Sequence, residues 1–203
     1  MRFIQPLLIL LILGIAACQN DNTSDGSAVP AAEGPAEAKS AAETAESASA
    51  TADFHNAEAA LVGTATFTQA ADGVLVRVEF NNLQAGPHAL HIHDSGLCEP
   101  PEFTSAGDHF NPDGKEHGFN NPNGPHAGDL PNFTVAEDGK ASLETLNPRV
   151  SLQQGAANSL LKPGGTSLVI HMGTDDYQTD PAGDSGERIA CGVVQPNMID
   201  RTE

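Results

Sequence analysis

The chain has 203 residues, with nine Lys and Arg against 27 Asp and Glu, a formal net charge of −18, no Trp and one Tyr. Such a charge excludes the basic footprint that nucleic-acid binding needs, and it excludes a polybasic membrane contact. The length suits one folded domain with appended segments.

Residues 3–17, "FIQPLLILLILGIAA", are an apolar run behind Arg2. The run is short for a membrane span and ends in small residues, so residues 1–17 read as a secretory signal. The run leads into "GIAAC", which resembles the bacterial lipobox, in which the cysteine is lipidated and becomes the new N-terminus. Cys18 is therefore the candidate lipid anchor to a membrane, with an ordinary signal peptide as the alternative. Gln19, rather than Asp, resembles the outer-membrane pattern of Gram-negative lipoproteins, which implies an exported, periplasmic, cell-envelope protein. Residues 18–57 are rich in Ala, Ser, Glu, Gly, Pro and Thr. They have almost nothing to bury and read as a disordered acidic tether that carries much of the charge. The folded domain is then expected over residues 58–203.

Within that domain, residues 60–70 and 73–83 alternate apolar and polar residues around Asp72-Gly73, a hairpin signal. Residues 88–93, "HALHIH", are a further strand candidate. Residues 132–146 read as strand, Asp138-Gly139 turn, strand, and 166–172 and 188–194 as the last two strands. No stretch of helix length carries an apolar helical stripe. The expected class is all-β, an antiparallel sandwich or barrel of about eight strands. Two long loops interrupt it, 94–131 and 173–187. Loops of that length in a compact domain are usually functional.

Seven of the eight histidines lie between His88 and His171. His91 and His93 stand at i and i+2, which places both side chains on one face of a strand. His109, His117, His126 and Asp129 all lie in the first loop, and together they could close a tetrahedral zinc site that orders it. His91, His93 and His171 lie on strands, rigid supports for a second metal; neutral imidazole suits copper as well as zinc. Cys98 and Cys191 suggest a disulfide in an exported domain, two free thiols being the alternative.

The motifs "GPHALHIH", "CEPPEFTSAGDHFNP", "HGFNNPNGPHAGDLPNF" and "GERIACGVV" resemble, in order and spacing, those of the copper/zinc superoxide dismutase family. The resemblance covers residues 58–195 and implies a Greek-key β-barrel. It implies copper held by His91, His93, His109 and His171, and zinc held by His109, His117, His126 and Asp129, one of each per chain. His109 would bridge the two metals. Asp175 would link a copper histidine to a zinc histidine, and Cys98–Cys191 would be the family disulfide. Arg188 would stand beside the open copper position, and His88 would be structural. The implied reaction is 2 O2− + 2 H+ → O2 + H2O2, with superoxide as substrate and His109 and Arg188 as the catalytic side chains. Pro181 and Ala182 replace a lysine and a threonine that flank the substrate channel in many animal members, which alters anion steering. Members of the family dimerise through different faces, so a homodimer is compatible with the resemblance.

Two other functions fit parts of the sequence. A lipoprotein that stores copper or zinc would bind metal without turnover. A cupin-type enzyme would use H-x-H with Glu99, but the spacing is too long, and the loop histidines and the cysteine pair would be left without a role.

Overall fold

A computed structural model describes residues 48–197. Residues 1–47, and with them the signal and the Cys18 anchor, lie outside the described residues. The expected tether boundary is corrected by the first element. Ser49–Asn56 form strand β1, with Ala50, Ala52 and Phe54 buried on one face. Alternating small residues with one Phe were too weakly apolar to mark a strand in an Ala/Ser-rich stretch. The folded domain therefore includes residues assigned to the tether, and His55 is an exposed side chain on β1.

β1 continues into a meander with β2 (Leu61–Ala70) and β3 (Gly73–Phe80). Val74, Val76, Val78 and Phe80 alternate into the core, as the sequence pattern requires. Gly73 takes φ 138° and leads β3 out of the hairpin. A Cβ there would run into the carbonyl of Asn147, so the turn requires glycine.

The "HALHIH" segment is two short strands, β4 (Gly86–His88) and β5 (Leu90–His93), separated by Ala89. β4 pairs with β6 (Phe133–Val135), and β5 pairs with β8 (Ser167–His171). β8 pairs in turn with β9 (Arg188–Val193). The expected strand–turn–strand at 132–146 is present, but its arms part company. β6 pairs with β4, whereas β7 (Ala141–Asn147) crosses over to pair with β3. The result is one antiparallel face β1-β2-β3-β7 and another made of β6, β4/β5, β8 and β9. They join where β9 pairs with β1 at His55↔Cys191 and Asn56↔Ala190. A short β10 (Gln195–Pro196) also adds to β1.

The core lies between the faces. Phe54 meets Phe80 edge-on at 5.1 Å, and Phe80 stacks on Phe133 at 4.8 Å. Leu90, Ile92, Leu168 and Ile170 fill the same core from β5 and β8, and each buried side chain of this size contributes about 1.5–3 kcal/mol. The opposite faces of β5 and β8 are buried as well. Loop residues cover them. Phe103, Ala106, Val169 and Cys191 form a second small core, closed by the Cys98–Cys191 disulfide. A third irregular connection, 148–166, was not singled out by its sequence; one of its residues, Lys162, reaches the functional cleft described next.

Candidate metal centre

The first loop is irregular apart from one 3-10 turn at Thr104–Ala106, yet its backbone is bonded to β5. Phe110 donates to Ile92 O, and Ile92 donates to Gly128 O, both at 2.8 Å. Gly128 in turn donates to Phe110 O at 2.8 Å. Gly128 lies so close to Ile92 O that a Cβ would overlap it. This close docking lays His109 and Asp129 beside the strand that carries His91 and His93.

Two groups of donors converge, each with its ligand atoms within 4.8 Å of one another: His91, His93, His109 and His171; and His109, His117, His126 and Asp129. All the residues proposed from the sequence as ligands are therefore brought together, and His109 belongs to both groups. All seven are at most 6% exposed.

In the first group every ring has one anchored nitrogen and one bare one. His91 Nε2 donates to Asp175 Oδ2 at 2.9 Å, His93 Nδ1 to Gly107 O at 2.9 Å, and His171 Nδ1 to Gly186 O at 3.2 Å. Among the described residues, the buried side-chain nitrogens left without a partner are His91 Nδ1, His93 Nε2, His109 Nε2 and His171 Nε2. Four unpartnered imidazole nitrogens aimed at one point, each with its tautomer fixed from behind, make a ligand set for a soft-to-borderline metal such as copper.

In the second group, Asp129 Oδ1 lies 3.0 Å from His109 Nδ1, 3.0 Å from His117 Nδ1 and 3.5 Å from His126 Nδ1. His109 Nδ1 and His126 Nδ1 are 3.4 Å apart. A tetrahedron with zinc–ligand bonds of about 2.0 Å has edges of about 3.3 Å, so the donor set fits zinc. The other carboxylate oxygen, Oδ2, accepts from Gly118 N at 2.9 Å and His126 N at 3.0 Å, which fixes the plane of the group.

Asp175 joins the two groups. Its Oδ2 accepts from His91, and its Oδ1 accepts from His117 Nε2 at 2.9 Å. Gly183 lies against this carboxylate at φ 64°, where any Cβ would overlap Asp175 Oδ1.

The electrostatics differ between the groups. Burial, reinforced by neighbouring imidazoles, pushes His171 down to about 3. Burial also pushes His109 down to about 4, against the pull of Asp129. His91 and His93 are lowered by burial too, His93 strongly. These rings are neutral at pH 7, with lone pairs free for a metal. Burial also opposes charge on His117, but its bonds to Asp129 and Asp175 outweigh it and raise the ring to about 9. Burial alone would raise Asp129 and Asp175; their histidine donors hold both well below the usual carboxylate range.

Arg188 closes the site from β9. Its Nη1 donates to Phe103 O and its Nη2 to Gly107 O, both at 2.8 Å. Burial lowers its pKa and Asp108 raises it in part, and the group stays cationic. It lines an open cleft with His93, His109 and His171. Pro181 and Ala182 line the same cleft, together with Lys115 and Lys162. Lys162 Nζ donates to Asp94 O at 2.7 Å. Within residues 48–197 there are six Lys and Arg against 19 Asp and Glu, so most of the negative charge sits on the folded domain, not the tether. The cleft's three cations stand in an acidic surround.

His88 is not part of either group. Its ring nitrogens face the carbonyls of His171 and Gln84, each at 2.9 Å, and it supports the end of β8. Residues around the site that were not proposed from the sequence include Lys115 and Lys162 in the cleft, Asn132 and Tyr177, which bond to Asp175, Gly183, and Asp180, whose Oδ1 accepts from His117 N at 2.7 Å. The lone tyrosine of the chain, two residues past Asp175, was an available signal, and Asn132 lies within the quoted motif ending "DLPNF".

The family model for copper/zinc superoxide dismutase (SODC) matches residues 61–194. The superoxide dismutases [Cu-Zn] 1 and 2 of Aquifex aeolicus (strain VF5) are 51% and 49% identical to this chain over 145 residues. Each alignment covers 71% of this chain, and 86% and 85% of the respective relative. A SOD-like protein from Bacillus subtilis has a crystal structure similar to this one, with a TM-score of 0.69 and 41% identity over 71% of this chain and 97% of that one.

Proposed function

The chain belongs to the copper/zinc superoxide dismutase family, and on that premise we propose that it dismutates superoxide to O2 and H2O2 as an exported enzyme held to a membrane of the cell envelope by a lipidated Cys18. Copper is assigned to His91, His93, His109 and His171, and zinc to His109, His117, His126 and Asp129. The observation that carries the assignment is the single ring of His109, whose bare Nε2 faces one donor group while its Nδ1 belongs to the other.

Bound copper would supply one-electron redox chemistry, and zinc a fixed positive charge. The chain supplies the rest. His109 is the one imidazole with a nitrogen in each group, so its Nε2 is the atom placed to hold a proton for the peroxide product. Asp129 and the second group keep the ring from turning as that proton moves. Asp175 aims His91 and His117 together. Arg188, fixed by two carbonyls, leaves its remaining N–H groups for an anion in the cleft. In an acidic protein this local cation matters, because salt screens surface charge beyond about 8 Å.

A metal store is the competing reading. The experiment that separates them is a metal count with a superoxide-dismutation assay on the same preparation. One copper and one zinc per chain with rapid turnover support the enzyme, and both metals without turnover support the store. Cys18→Ser should release the protein from membranes, and continued retention would contradict the anchor. A homodimer belongs to the same reading, and a single-chain mass in solution would count against it.

A further inference from the structure

Asp175 links both donor groups, yet it sits on the irregular loop 173–187 and belongs to no strand ladder. Something else must hold it to the small tolerance that two imidazoles impose. Its main chain is clamped at both ends by one side chain: Asp175 N donates to Asn132 Oδ1 at 2.9 Å, and Asn132 Nδ2 donates to Asp175 O at 2.8 Å. Asn132 immediately precedes β6, so the clamp roots the loop in the sheet. The carboxylate has a second tether. Tyr177 N donates to Asp175 Oδ1 at 2.6 Å, the same oxygen that accepts from His117.

Tyr177 is itself fixed on three sides. Its hydroxyl accepts from Asn132 N at 2.7 Å, and its carbonyl accepts from Asn120 N at 2.8 Å. Its carbonyl also packs against Gly118, where a Cβ would overlap it. Its backbone sits at φ 62°, unusual for a bulky residue and sustained only by such surroundings. Asn120 and Gly118 flank the loop just after His117. The same tyrosine thus touches the segment before β6, the loop that carries His117, and the carboxylate between the two donor groups.

We propose that Tyr177 and Asn132 are positioning residues that act through Asp175 to hold the His117 imidazole in zinc-binding orientation. The proposal rests on the zinc assignment above. It predicts slow zinc loss in the native protein and faster loss when the clamp is broken, with the effect passing through Asp175 alone.

The test is the rate of zinc transfer from the full-length copper- and zinc-loaded chain to a chromogenic chelator. Asp175→Asn should speed release about 10–100-fold, the usual effect of removing a carboxylate behind a ligating histidine. Asn132→Ala should speed it about tenfold, and Tyr177→Phe, which removes only the hydroxyl, about threefold. Combined with Asp175→Asn, neither should add further, because the group they position is already lost. With cobalt in the zinc position, the visible spectrum should change in Asn132→Ala. Release within about twofold of wild type in both single variants, with Asp175→Asn fast, would overturn the clamp. So would double variants whose effects multiply. Asp175→Asn releasing zinc at the wild-type rate would overturn the role of Asp175 and the clamp with it, whereas a wild-type chain that takes up no zinc would overturn the zinc assignment itself. Tyr177→Phe keeps the ring and its packing, so the test stands if Asn132→Ala fails to fold.

Discussion

The two donor groups are built by different means. His91, His93 and His171 lie on β5 and β8, which are paired in register from Leu90↔Ile170 to His93↔Ser167 and sit on the hydrophobic core. His117, His126 and Asp129 lie on a loop with no strand, and their order comes from the loop's backbone bonds to Ile92 and from polar bonds to one another and to Asp175. A ladder resists deformation with or without a ligand. The strand-held donors are therefore placed by the fold and, with His109, keep four buried nitrogens bare, whereas the loop-held donors are placed by hydrogen bonds among themselves. His109 belongs to both and Asp175 bonds to both, so the strand-held half senses the loop-held half through one ring and one carboxylate.

Removing one histidine from each half gives the largest expected effect and the sharpest test of that contrast. His171→Ala should abolish dismutation and copper binding while zinc stays bound and the loop stays ordered. His117→Ala should lose zinc and retain copper on His91, His93, His109 and His171, none of which it removes. Metal analysis of the two variants checks this, and loss of both metals from both would erase the distinction. Arg188→Ala comes next, with kcat/KM falling about 10–100-fold at unchanged metal content. Unchanged kcat/KM would remove the anion-guiding role.

Zinc withdrawal should then separate the halves without mutation. Amides of Gly118 and His126, which donate to Asp129, should lose hydrogen-exchange protection about tenfold or more. Those of the β2–β3 ladder should stay protected, and equal loss in both regions would show that the loop has no separate stability.

The smallest effect concerns pH in the metal-free chain. His109 near 4 and His171 near 3 are neutral in the folded protein where the unfolded chain, at the ordinary 6.5, is protonated. Stability therefore rises with pH up to about 6.5, helped by the lowered carboxyls. His117 near 9 does the opposite: its contribution is complete below 6.5 and is lost as pH rises through 9. Thermal denaturation should show a maximum near pH 6.5, and a melting temperature still climbing above about pH 7.5 would contradict the assignment of His117.

The same contrast explains what the sequence made legible. Alternation in "GVLVRVEF" specified β3 and its buried face, since period two is a direct consequence of the pleat. The i, i+2 histidines in "LHIH" specified their shared face for the same reason. The motif resemblance then supplied the metal-site residues as a set. The loop could not be read so directly, because its register comes from long-range bonds such as Asn132 to Asp175, across 43 residues. β1 was missed because Ala50 and Ala52 bury too little area to register as apolar periodicity, although the strand completes both faces. β6 and β7 looked like a hairpin, since an Asp-Gly turn joins them; the choice of different partners depends on β3 and β4, which local pattern does not encode.

The most direct test of the account is whether one imidazole spans both donor groups. Copper(II) in the strand-held group and cobalt(II) in the loop-held group of the full-length chain should couple magnetically through His109. The account predicts that the copper electron-paramagnetic-resonance signal disappears when cobalt is added and returns when cobalt is removed. A copper signal of full intensity with cobalt bound would contradict it.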